Sequence, residues 1–510
     1  MTTHFSKVFS AELDGIEARL IEVETDINVG LHSFTIVGLA DKALSEAKER
    51  VNSALKNSGV KPPNRENRKI VINLAPADVK KTGSQYDLAL ALGYLLATEQ
   101  INKFETGDKI FIGELSLDGK LRGVAGALNT AEYARIHNIK YVFVPQANAK
   151  EAAMVKNVII IPVSNLKELI DHLEERKLIE PQPQTNISNA RDTYELEISE
   201  IKGQGVAKRA LMIAAAGGHN MLMVGPPGTG KSMLAKSLTS ILPPLAHDEV
   251  IEITKIYSSA GMLERDPSTH YRPFRAPHQT ASPVSVIGGG STPRPGEISL
   301  AHRGVLFLDE LPEFRRDILE ALRQPIEERR IVISRAKQNL IFPANFTLLA
   351  AMNPCPCGYY RDEEKECTCS VAEVFRYQKK ISGPLLDRID MQINVPRADI
   401  KTLKQAPVPE ETEKIRNSII KARKIQKARL AKTKRTLNAE MSSKECDKFI
   451  KLSPEGEHLL EAAFKKSAIS PRGYYRILKT ARTIADLEAS EVVSPDHIAE
   501  AFSYRLREKE

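Results

Sequence analysis

Gly225-Pro226-Pro227-Gly228-Thr229-Gly230-Lys231-Ser232 decides how the rest of the chain is read. The apolar run Met221-Leu222-Met223-Val224 before it reads as a buried strand, and Met233-Leu234-Ala235-Lys236-Ser237-Leu238 after it as the first turns of a helix. A strand, a glycine-rich loop and a helix are the setting that a G-x-x-x-x-G-K-[ST] pattern requires. The glycines let backbone N–H groups turn inward around phosphates, and the helix N-terminus adds a dipole that favours an anion. Lys231 is expected to reach the β- and γ-phosphates and Ser232 to ligate Mg²⁺.

Working outward, Val305-Leu306-Phe307-Leu308-Asp309-Glu310 reads as a buried parallel strand with two carboxylates at its C-terminal end. Ligands of open α/β sheets bind at that end of the strands. Asp309 is placed to hold Mg²⁺ through water, and Glu310 to orient and deprotonate an attacking water. Leu348-Leu349-Ala350-Ala351-Met352-Asn353 is another apolar strand ending in a polar residue.

The whole chain has 510 residues, too many for one core, so two to four domains are expected. Its formal charge of +8 leans toward an anionic partner such as nucleic acid, or reflects a lysine-rich soluble surface. Met1 to Lys7 precede no apolar secretory core, and the longest apolar run, Leu88 to Ala97, is too short to span a bilayer. A cytoplasmic protein with no membrane partner is expected. Four of the five cysteines, Cys355, Cys357, Cys367 and Cys369, form C-x-C-x₉-C-x-C around a charged span that cannot bury itself. Four thiolates in so short a loop suit a closed tetrahedral structural zinc, with free thiols as the alternative.

Residues 1–175 alternate short strands and helices. Ala18 to Thr25 alternates at period two, Phe34 to Gly38 and Lys69 to Leu74 are further strands, and Asp41 to Ser58 is a helix with Leu44, Ala47, Val51, Ala54 and Leu55 on one face. Asp87 to Thr98 is a buried helix, Phe111 to Leu121 a hairpin turning at Asp118-Gly119, and Tyr141 to Pro145 and Val158 to Pro162 two more strands. Through Ile112 to Gly119 and Val142 to Pro145 this domain resembles the Lon-protease-like domain. That family needs a nucleophilic serine and an activating lysine. Gly83 to Ala89 lacks the P-S-A-G of the nucleophile loop, and the helix Ala125 to Arg135 has no lysine. Ser84 reads as a turn or cap residue, and the domain as non-proteolytic, with a docking or ring-building role. Residues 176–197, with Glu180-Pro181-Gln182-Pro183, read as a linker.

From residue 198 the P-loop, the acidic strand and Asn353 come in the order of AAA+ ATPases. Within these, Pro273 to Ser282, Pro295 to Gly304 and Ala351 to Gly358 resemble the Mg-chelatase-like proteins, and among them the ComM family, over nearly the whole chain. The fold implied is α/β: an AAA+ P-loop ATPase core over 198–397 with a helical lid over 398–510, preceded by the α+β Lon-protease-like domain. The resemblance makes Asn353 a sensor that polarises the catalytic water. It places Ile201 to Gly205 along an adenine pocket and makes Arg472, at the start of a lid helix, a second sensor. Arg388 in Ser382-Gly383-Pro384-Leu385-Leu386-Asp387-Arg388-Ile389-Asp390 is an arginine finger for a neighbour's site, or a salt-bridge partner of Asp387 or Asp390. Arg330 to Pro343 reads as a hairpin where ring helicases carry a pore hairpin, so Arg335 and Lys337 are candidates for DNA contact. Glu413 to Arg435 is a helix dense in base that either binds nucleic acid or is a solvated face. The implied activity is that of a hexameric ATP- and Mg²⁺-dependent motor. It would promote branch migration of single-stranded, forked or branched DNA during natural transformation, with recombination proteins as further partners. A chelatase-type motor driving metal insertion is the alternative.

Overall fold

The computed structural model describes residues 4–38, 42–65, 67–186, 194–263, 271–290, 293–334, 339–398, 408, 410–466 and 469–505. Strands β1 (Phe5–Asp14) and β2 (Glu17–Val29) make a long antiparallel hairpin, and β3 (Ser33–Val37) and β4 (Arg68–Ala75) complete a sheet of order β1-β2-β4-β3. Alternation along β2 puts Ile21 and Val23 in the core. Helix α1 (Lys42–Asn57) closes that core with the stripe Leu44, Ala47, Val51, Ala54 and Leu55, all fully buried. Helix α2 (Asp87–Ala97) is buried at every position, and its one charge, Asp87, is paired with Arg50 at 2.7 Å. A buried carboxylate needs such a partner.

A three-stranded parallel sheet follows, β5 (Lys109–Phe111), β8 (Tyr141–Pro145) and β9 (Ile159–Val163) in that order. Between them, β6 (Glu114–Leu115) and β7 (Leu121–Arg122) pair across the turn at Asp118-Gly119, and α3 (Ala127–Ile136) covers the sheet. The Ser84 hydroxyl donates to Glu114, and Lys81, three residues earlier, turns its ammonium to the Pro76 carbonyl, so no hydrogen bond joins this serine and lysine. The proline-rich span after residue 176 is partly anchored: Gln182 N donates to Ile160 O at 2.8 Å and Thr185 N to Ala153 O at 3.0 Å.

The second unit is built on five parallel strands in the order β11-β14-β17-β10-β18, namely β10 (Met221–Val224), β11 (Phe274–Arg275), β14 (Val305–Leu308), β17 (Thr347–Met352) and β18 (Met391–Asn394). Successive residues face opposite sides. Met221, Met223, Leu349 and Ala351 join one cluster, together with α4 (Gly205–Gly217), α5 (Lys231–Ile241) and the C-terminal helices α9 (Glu411–Arg429) and α10 (Pro471–Leu487). Leu222, Leu306, Leu308, Leu348 and Ala350 face the other. That second cluster takes in Leu340 and Phe342 from the hairpin β15 (Arg330–Ser334) and β16 (Asn339–Pro343), and also Ile16 from the β1–β2 turn. A smaller hairpin, β12 (Gly288–Gly289) with β13 (Arg294–Pro295), leans on it, with Gly288 and Gly289 against Ile333.

The two units are joined at α6 (His247–Ala260), whose Val250 packs among Ala127, Leu128 and Ala149. Asn129 Nδ2 bridges Ile16 O at 2.6 Å and Lys255 O at 3.1 Å, and Gly126 N donates to Ser258 O. Glu151 is buried beside this seam. Burial pushes its carboxyl from 4.5 up to about 7, against the hydrogen bond that Asn148 Nδ2 donates to it at 2.6 Å. A carboxyl whose folded value is raised binds more protons in the folded state. Its stabilising contribution is therefore full below pH 4.5 and is lost as pH rises through about 7. Glu151→Gln is expected to flatten the fall in melting temperature between pH 5 and 8 and to raise stability at pH 8 by roughly 1–3 kcal/mol. Parallel melting curves of the two proteins across that range would refute this.

Candidate active site

Gly225 opens the P-loop where β10 ends. A Cβ there would meet the Val395 carbonyl at 2.3 Å, so only glycine fits between the strands. Gly228 and Gly230 take φ of +79° and +84°, the left-handed turn that brings the chain into the N-terminus of α5. Thr229 Oγ1 donates to Pro226 O at 3.0 Å and fixes the turn. Lys231 is buried, and its ammonium donates to Gly225 O at 2.7 Å, Pro226 O at 2.8 Å and Asn353 Oδ1 at 3.3 Å. Burial lowers its pKa, while Asp309 and Glu310 work the other way. Ser232 Oγ donates to Asp309 Oδ2 at 2.7 Å. Three stretches far apart in sequence thus meet at the C-terminal ends of β10, β14 and β17, as the switch-point rule for α/β sheets anticipates. Glu310 is exposed and holds φ of +51°, an uncommon conformation for its residue type, and its N–H donates to Asp309 Oδ1 at 3.0 Å.

Arg388 and Arg472 stand elsewhere. Arg388 lies just before β18, at the N-terminal end of the sheet, where Met391 pairs with Met221. The P-loop follows the other end of β10, so four strand residues, about 13 Å of rise, separate the levels of the two. Arg388 Nε pairs with Glu327 Oε1 at 3.0 Å on α7 (Arg323–Glu328), not with Asp387 or Asp390. Asp390 is taken by Arg476 and by the backbone N–H of Asn220. Arg476 also donates to the Arg388 carbonyl at 2.8 Å. Arg472, one turn earlier on α10 and more than half exposed, comes within 4.0 Å of the same Glu327 oxygen. Glu327 and Arg476 therefore organise the arginine pair, and neither was legible in sequence. Each is an ordinary helix charge until the fold puts it beside the loop before β18.

Four thiols close a loop directly after Asn353. Cys355 Sγ lies 3.3 Å from Cys357 Sγ and 3.7 Å from Cys367 Sγ, and all four sulfurs fall within 4.8 Å of one another. Tetrahedral zinc with Zn–S bonds of about 2.3 Å sets its sulfurs about 3.8 Å apart, so the group fits. Backbone N–H groups of Tyr360 and Cys357 point at the sulfurs of Cys355 and Cys369, at 3.3 and 3.4 Å.

The DNA-contact candidates Arg335 and Lys337 lie outside the described residues. The basic helix turns out to be divided. Arg416 binds the Ser240 carbonyl, Arg423 the Ala215 carbonyl and Arg429 the carboxylate of Asp486, so these three fasten α9 to the core. Lys414, Lys421, Lys424 and Lys427 remain exposed.

Comparison with known proteins shows the family of the chain. The family profile described as magnesium chelatase, subunit ChlI, matches residues 197–403, and two further ChlI profiles match 23–148 and, as the subunit's C-terminal part, 409–505. Competence protein ComM of Haemophilus influenzae is 41% identical over 505 residues, covering 98% of this chain and 97% of that protein. YifB of Escherichia coli is 41% identical over 493 residues, covering 96% and 95%. The magnesium-chelatase 38 kDa subunit of Rhodobacter capsulatus is 25% identical over 354 residues, covering 64% and 91%. This kinship implies ATP and Mg²⁺. The left-handed P-loop turns, the buried Lys231 ammonium and the Ser232–Asp309 contact are the groups that such a ligand requires. Among the described residues no helix is long and apolar enough to cross a membrane. Kinship of 41% over nearly the full length, together with family profiles that match most of the chain, means that it belongs to the Mg-chelatase-like AAA+ family, in its ComM/YifB branch.

Proposed function

We propose that this chain is an ATP-driven DNA motor, working as a homo-hexameric ring, that promotes branch migration when incoming single strands recombine during natural transformation. The observation that carries the motor reading is the split of the site. Lys231, Ser232, Asp309 and Asn353 sit at one end of the sheet, while Arg388 and Arg472 are held together by Glu327 at the other. An arginine finger that far from its own P-loop acts on a neighbour, and a ring supplies one at every interface. The competence name of the Haemophilus relative supports the DNA reading, as does the hairpin β15–β16 braced by β12–β13.

Bound ATP with Mg²⁺ supplies the phosphoryl group and the cation that screens its charge. Gly225 to Ser232 cradle the phosphates, Lys231 leaves its three oxygen acceptors for them, and Ser232 and Asp309 hold the cation. Glu310 takes the proton of the attacking water, oriented by Asn353. Arg388 and Arg472 of the adjacent subunit meet the charge that develops on the transferred group. The N-terminal domain, Lon-like and non-proteolytic, docks on the ATPase through Ile16 and α3. Cys355, Cys357, Cys367 and Cys369 hold one structural zinc.

The test is a synthetic four-way junction incubated with the purified protein. Branch migration with ATP and none with ADP is expected, with hydrolysis stimulated by DNA. A chelatase-type motor is the second reading, favoured by the descriptions of the matching profiles. Stimulation of ATPase by a porphyrin in place of DNA would transfer the conclusion to it.

A further inference from the structure

The four-cysteine loop is not a remote staple. Cys355 is two residues beyond Asn353, the residue that touches the Lys231 ammonium. Gly358, held at φ of +88° by its N–H bond to Cys355 O, lays its backbone against the P-loop. A Cβ at that position would meet Pro227 Cδ at 2.7 Å and Asn353 Cγ at 3.9 Å. From the far side of the loop, Asp362 and Glu364 pair with Arg397 at 3.4 and 3.2 Å, and Arg397 also stacks over Tyr359. Arg397 stands two residues after Val395, whose N–H binds Val224 O and whose carbonyl closes over Gly225. Gln378 Nε2, at the end of α8 (Val371–Gln378), donates to Pro354 O at 2.9 Å. The loop therefore touches the phosphate cradle at Pro227 and Asn353 directly, and at Gly225 through the end of β18. Yet the span between the cysteine pairs contains Asp362, Glu363, Glu364, Lys365 and Glu366 and buries little apolar surface. Without a metal, that shape rests on the buried Cys355, on the turn that Asp362 caps, and on ion pairs to Arg397 at the solvent-facing side of the loop.

From these contacts we infer that metal occupancy of the Cys355–Cys357–Cys367–Cys369 site sets the geometry of the P-loop, making nucleotide affinity depend on zinc. The inference rests on the zinc reading above and adds to it a consequence for a different ligand. With zinc bound, Gly358 presses Pro227 and Asn353 into the arrangement that receives phosphate. With zinc lost, the loop relaxes and nucleotide binds more weakly, and a misplacement near 1 Å of the groups around the phosphates also slows hydrolysis by about 10²-fold.

The full-length protein is first assayed for metal, then for binding of a fluorescent ATP analogue, before and after zinc is stripped with a thiol-reactive mercurial and restored. About one zinc per chain is expected, with nucleotide affinity falling on removal and recovering on return while circular dichroism stays constant. Gly358→Ala is the control that does not depend on the cysteines. It should keep its zinc, because the four ligands are untouched, and still bind nucleotide weakly, because its Cβ collides with Pro227. Protein purified without zinc, and unable to take it up, overturns the zinc reading itself. Zinc that comes and goes with no change in nucleotide affinity overturns only the coupling, as would a Gly358→Ala protein with wild-type affinity.

Discussion

Lys231→Ala is expected to lower the ATP hydrolysis rate by about 10²–10³-fold or more, the scale set by removing one preorganised charge-stabilising donor. The ammonium is buried among the Gly225 and Pro226 carbonyls and Asn353, and burial has already stripped part of its water. It exchanges those acceptors for phosphate at little cost, and no other cation among the described residues donates to them. Lys231→Arg should fail nearly as badly, because a planar guanidinium does not fit a slot shaped for a compact ammonium. The fold should survive both changes: the loop is anchored by Thr229 Oγ1 and by the strand contacts of Gly225, which stay. Phosphate release with a melting curve alongside decides the matter. Hydrolysis by either variant within tenfold of wild type would refute the assignment.

The second large effect is at Arg388. Arg388→Ala should bind ATP with near wild-type affinity and hydrolyse it about 10³–10⁵-fold more slowly, the range for a missing arginine finger. Loss of the guanidinium leaves Glu327 partly exposed and still within reach of Arg472, which costs little stability. Mixing this variant with Lys231→Ala should restore activity that neither has alone. A subunit with an intact P-loop beside one with an intact arginine forms at about a quarter of interfaces in an equal mixture. Two inactive proteins whose mixture stays inactive would leave Arg388 as a structural ion-pair residue. Glu327→Gln separates the roles further. It frees Arg388 and Arg472 from their shared partner without removing either, so its effect should appear in hydrolysis and not in nucleotide affinity.

The central motif was legible because it is local. A P-loop needs its strand, its glycines and its lysine within a dozen residues, and the apolar runs ending in Asp309-Glu310 and in Asn353 announce buried parallel strands by composition alone. Helix α1 was readable from its stripe and the hairpin at Asp118-Gly119 from its turn chemistry, since both depend on neighbours in sequence. The glycine-rich hairpin Gly288 to Pro295 was not, because two-residue strands have no periodicity to detect.

What the sequence determined by itself is the kind of site: phosphate-binding loop, paired carboxylates, polar sensor and a four-thiol cluster. Tertiary structure alone decided which of these touch. Parallel pairing of β10 with β14's neighbour β17 brings Asp309 to Ser232 and Asn353 to Lys231. The same strand direction carries Arg388 to the opposite end of the sheet, where Glu327 and Arg472 join it. The positive left-handed turn at Gly358 sets the cysteine loop on Pro227. None of this is encoded in local pattern, because contacts across a sheet depend on strand order and register, which distant residues settle together by burying one another's apolar faces.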